Sequence, residues 1–109
     1  MATLEEFHAA MLHIYEQAAR LRPPYHATRF RKMVLESGGK AAADQLLASP
    51  TTSSGFTELF LRGPENLRLS VEYLVLQTRW REFFTDEQLA IARERLLAVG
   101  CPLPEEDAG

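Results

Sequence analysis

The sequence predicts an all-α protein, an irregular orthogonal or bundle-like array of five to six short helices, and three observations predict it. Capping boxes stand at Thr3–Glu6 and Thr85–Gln88, where a threonine hydroxyl and a Glu or Gln side chain satisfy each other's backbone amides. Apolar residues recur at helical spacing through most of the chain. A single run, Leu67, Leu69, Val71, Tyr73 and Val75, alternates as a strand would, and no second alternating run exists to pair with it.

The first helix is expected from Thr3 to about Leu21, closed ahead of Pro23-Pro24. Leu4, Phe7, Met11, Ile14, Tyr15 and Ala18 fall within a stripe of roughly 100° at the helical period, with Glu6, His13, Glu16, Gln17 and Arg20 on the other side. A second helix, about His26 to Ser37, buries Ala27, Phe30, Met33 and Val34 and stops at Gly38-Gly39, where a left-handed cap is available. Lys40 to Ala48 is rich in Ala, carries Leu46-Leu47, and ends at Ser49-Pro50 because proline disfavours helical backbone in the residue before it. Thr51, Thr52, Ser53 and Ser54 are N-cap candidates for a short helix marked by Phe56, Leu59 and Phe60 and ended by Gly63-Pro64.

Ser70 as N-cap favours a helix from about Val71 to Gln77 over the strand reading, with Leu67 and Leu69 extended before it. In the last helix Phe84 can staple onto Leu89, and Leu89, Ala92, Leu96 and Val99 form a narrow stripe that Gly100 ends. Residues 1–100 are thus expected to form a single helical domain, and 101–109 a mobile acidic tail holding Pro102 and Pro104.

Composition excludes several classes of function. With 46% apolar and 25% charged residues among 109, the chain is neither disordered nor fibrous, and no apolar stretch is long enough to span a bilayer. Acidic residues stand where a secretory signal carries basic ones, and Cys101 is the single cysteine, so a cytoplasmic protein without an internal disulfide is expected. A net charge of -3 argues against nucleic-acid binding driven by overall charge, though not against a local basic patch.

A set of short motifs runs through residues 4 to 97: Tyr25-His26-Ala27-Thr28-Arg29-Phe30, Gly38-Gly39 with Ala42, Ser54-Gly55-Phe56, Leu69-Ser70-Val71-Glu72, and Phe84 followed by Ala92-Arg93-x-Arg95-Leu96. On these the chain resembles a family of short, uncharacterised bacterial helical proteins. It departs from that pattern at Ser70, where the family usually has Thr, and at Phe83, where it has Leu; both keep the same physical role. The resemblance implies a standalone helical domain of bacterial origin and no particular activity.

The residues offer little chemistry of their own. Glu5-x-x-His8 has the spacing used in di-iron bundles, but His13 and His26 lack the second acidic partner, so no metal site is expected. Cys101 has no histidine nearby in sequence, Ser54-Gly55 lacks the context of a nucleophile elbow, and Gly38-Gly39-Lys40 reads as a helix stop plus a solvated lysine rather than a phosphate loop. No catalytic residue and no cofactor are therefore expected, and the chain is read as a non-enzyme.

Three apolar residues are candidates for partner binding: Ile91 and Leu97, which fall outside the stripe of the last helix, and Trp80 in the Trp80, Phe83, Phe84 cluster. Most aromatics of so small a domain must nonetheless be inside. Arg29, Arg31 and Lys32 are candidates for phosphate binding, within a segment from Arg20 to Lys32 that has five cations and no acid. The reading is a protein-interaction or accessory module that binds a protein partner or forms a homo-oligomer, with no membrane. Nucleic-acid binding through the basic stripe is the alternative.

Overall fold

Every helix start foreseen from a side-chain cap is used. The computed structural model describes residues 2–104. In it the Thr3 hydroxyl accepts from the Glu6 amide and the Glu6 carboxylate from the Thr3 amide, which opens α1 (Leu4–Ala18). The bond from the Thr3 amide, joined by one from the Thr3 hydroxyl and by the Arg79 charge and against the effect of desolvation, holds the Glu6 carboxyl below its ordinary pKa. Two helices follow, α2 (Thr28–Ser37) and α3 (Gly39–Ala48). Ser53 caps α4 (Ser54–Leu61), Ser70 caps α5 (Val71–Val75), and the Thr85–Gln88 box opens α6 (Asp86–Leu97). Two 3₁₀ segments, Pro64–Leu69 and Arg81–Phe83, complete the set. There is no strand among the described residues, so the all-α reading holds; the expected count is short by the two 3₁₀ turns.

Several expectations are corrected in detail. Leu67 and Leu69 are not extended: Pro64 presets the turn and the Ser70 hydroxyl donates to the Leu67 carbonyl at 2.7 Å, closing a 3₁₀ segment directly onto α5. α1 ends three residues early, at Ala18, whose carbonyl accepts from both the Leu21 and Tyr25 amides as the chain turns away. Leu4 does not join the core stripe; it sits in the first turn and is 51% exposed.

The two central glycines do different work. Gly38, at φ 89°, ends α2 in a conformation that side chains rarely adopt. Gly39 starts α3 pressed against α1, where an added Cβ would lie 2.7 Å from the His8 Cα, so this position is a close approach of two helices and not only punctuation. The Gly39 amide donates to His8 Nδ1 at 3.0 Å. An imidazole from α1 therefore caps a helix that has no side-chain cap of its own.

α1 packs on α2 and α3, α3 also meets α5 and α6, α5 lies against α6, and α4 against the Pro64–Leu69 segment. One hydrophobic cluster runs through all of them, with Phe7, Met11, Val34, Leu47, Leu67, Val75, Leu76 and Leu96 fully buried. It reaches past the expected boundary at residue 100: Gly100 turns at φ 72°, the Cys101 amide returns to the Leu96 carbonyl, and Cys101, Leu103 and Pro104 are buried. The acidic run Glu105-Glu106-Asp107 lies outside the described residues. No helix among those described is long and apolar enough to cross a membrane.

Candidate functional site

α5 is buried at every position, which leaves Glu72, its second residue, without access to bulk water. A carboxylate in that place needs a partner, and α6 supplies it. Arg95 Nη1 lies 3.0 Å from Glu72 Oε2, and the two side chains are 10% and 4% exposed. The same guanidinium donates to the carbonyl of Leu46 at 3.1 Å and to that of Ser49. It thus satisfies the C-terminal carbonyls of α3, a helix with no basic residue in its own last turn. One arginine ties three helices together.

This ion pair stands between two hollows, with Glu72 lining one and Arg95 lining the other. The first, about 200 Å³ and open at one side, is lined by the second half of α1, by α2, by Leu46 of α3, by the start of α4 and by residues 69–72. Its wall is mostly apolar, with Ile14, Phe30, Met33, Leu46, Phe56 and Leu59. A void of this size forgoes the dispersion contacts of a close-packed core, and a smaller engineered one of about 150 Å³ admits benzene.

Two of the cavity's polar side chains are already engaged, Ser53 by the Phe56 amide and Ser70 by the Leu67 carbonyl and Tyr73 amide. Glu72 at the inner wall is paired through Oε2 with Arg95, and Tyr15, Tyr25, Ser54 and the exposed Arg29 at the mouth complete the polar lining. Burial pushes the Tyr25 hydroxyl pKa up, with the Glu58 charge adding to the shift and Arg62 opposing it. Arg62 also lies over the Tyr25 ring at 5.1 Å and donates to the carbonyls of Pro23 and Pro24, pinning this loop to α4.

The second hollow, about 580 Å³, is an open groove between the end of α3, α4 and α6. Leu47, Pro50, Phe56, Phe60, Ile91 and Val99 supply its apolar surface, Thr51, Thr52 and Thr57 its polar edge, and Glu94 a negative charge.

The candidate residues are dispersed by this geometry. Ile91 lines the groove, half-buried, whereas Leu97 is 57% exposed and lies outside it. Trp80 is withdrawn as a partner residue, being 4% exposed, with its ring 5.4 Å from that of Phe7 and the Arg79 guanidinium above it. The basic stripe divides. Arg29 lines the cavity and forms no ion pair among the described residues, while Arg31 lies over the Tyr15 ring and Lys32 approaches Glu36 at 4.0 Å beside a shallow depression.

His8 is occupied as a cap, and among the described residues no three of His, Cys, Asp and Glu come together. Lys40 is not simply solvated: it bonds both Asp44 oxygens and lies 4.8 Å from the Phe84 ring centre. Nothing in the sequence marks Glu72 and Arg95 as a pair. Their signals were a lone charge inside the apolar run Val71–Leu76 and an arginine adjoining the stripe residue Leu96, both within motifs of the resemblance. Set against family models, curated proteins and solved structures, the chain matches none.

Proposed function

We propose that the chain is a non-catalytic interaction module of the cytoplasm that holds an apolar segment of a partner protein in the groove between α3, α4 and α6. The observation that carries this reading is the half-buried Ile91, which, though outside the core stripe of α6, borders a groove with Phe56, Phe60 and Val99. Such a surface suits an amphipathic segment whose large side chains enter in turn. Its charge narrows the partner. Arg95 has its charge paired with Glu72 and also donates to two carbonyls, so Glu94 is the charge left for recognition, and a Lys or Arg flanking the apolar positions fits it.

Selection from a library of displayed random peptides tests this. Enriched peptides are expected to share two or three large apolar residues with one nearby cation, and to lose binding to Ile91→Glu while that variant melts as the parent does. Peptides that bind Ile91→Glu undiminished would end the groove reading. The nucleic-acid alternative has weaker support, because Arg29 faces the cavity while Arg31 and Lys32 belong to another surface. No shift of mixed DNA or RNA is expected in low-salt mobility assays.

A further inference from the structure

We infer that the cavity between α1, α2 and α4 is a binding site for a small hydroxylated organic acid of roughly ten heavy atoms in all, an apolar body with a hydroxyl at one end and a carboxylate at the other. Three observations set the chemistry, and none depends on the groove. The body of the cavity is apolar and of a size to take one ring. At its inner wall stands Glu72, 3% exposed, an acceptor whose Oε2 is held by Arg95 and which can take a hydrogen bond from a ligand donor. At its mouth stands Arg29, exposed and without an ion pair among the described residues, a fork suited to a carboxylate.

The polarity is directional. A carboxylate placed at the inner wall would face the Glu72 charge and be repelled, so the acid end belongs at the mouth and the hydroxyl inside. Gly55 keeps the cavity open. A Cβ there would lie 3.6 Å from the Tyr25 hydroxyl and the Ser53 Oγ, ordinary contact distances, so the backbone accepts a side chain at a position that lines the cavity, where a longer one takes up the ligand's space.

The test uses three probes of one shape: 4-hydroxyphenylacetate, phenylacetate without the hydroxyl, and 2-(4-hydroxyphenyl)ethanol without the acid. Titration of ¹⁵N-labelled protein followed by amide shifts is expected to show saturable binding of the first, with the largest changes at Ile14, Phe30, Gly55 and Val71. The other two are expected to bind at least about tenfold more weakly, the scale of one lost charge-assisted hydrogen bond. Glu72→Gln risks unfolding because it uncouples Arg95, so Gly55→Leu is the second arm. It should retain the parent's melting temperature and lose binding, while Arg29→Gln should bind the acid and the alcohol alike. The inference is overturned if 4-hydroxyphenylacetate does not saturate, if either lacking probe binds as well as it does, or if folded Gly55→Leu still binds.

Discussion

α1 presents one apolar stripe to the core, yet its two halves meet opposite conditions. Around Phe7 the space is filled: the rings of Trp80 and Phe84 each stand 5.4 Å away, edge to face, and Phe83 stands at 6.4 Å. Around Ile14 and Tyr15 the same stripe borders a cavity of about 200 Å³. The contrast teaches that hydrophobic period reports which face turns inward, whereas filling depends on the volumes that other elements bring to that face. The aromatic cluster 80–84 fills one half; the second half receives Gly55, Leu69 and the half-buried Phe30 and Met33.

The largest effect is expected where the packing is dense. Phe7→Ala should cost about 3–5 kcal/mol, since it opens a void among rings that cannot close on it. Ile14→Ala, at the edge of space already open, should cost no more than about 1–2 kcal/mol in the same urea denaturation series. Equal costs for the two would show that the halves are packed alike.

Next in size is the wall between cavity and groove. Arg95→Met should cost about 3 kcal/mol, because it strands a buried carboxylate and frees two helix-end carbonyls. Adding Glu72→Leu should restore part of that stability, the carboxylate's share, while the Leu46 and Ser49 carbonyls stay unmet. Thermal melts of the single and double variants measure both shares.

How much of this could be read from the chain follows from the range of each signal. Caps are local, and Thr3, Ser70 and Thr85 announced three helices correctly from four-residue patterns. Ile91 stands in the sequence as an apolar residue outside the α6 stripe, and in the structure it borders the groove. Arg29 belongs in the sequence to a basic stripe that the fold divides. The Glu72–Arg95 pair, 23 residues apart, and the His8 cap on Gly39, 31 apart, depend on how helices cross, which no periodicity encodes. Leu103 and Cys101 misled for a related reason: two apolar residues among prolines and acids look too few to order a tail, yet the Gly100 turn sets them against an existing core.

The smallest effects give the sharpest version of the comparison, because one substitution type changes sign between the halves. Gly39→Ala forces a methyl to within 2.7 Å of the His8 backbone, so that α1 and α3 must shift apart, and should destabilise by about 1–3 kcal/mol. Gly55→Ala places the same methyl at 3.6 Å from its nearest neighbours, in a helical backbone that alanine accepts. It should stabilise by about 0.5 kcal/mol, mainly by restricting the unfolded chain. Calorimetric melts of the two variants resolve a difference of this size. A loss at Gly55 comparable to that at Gly39 would mean that the second half of α1 is as tightly filled as the first.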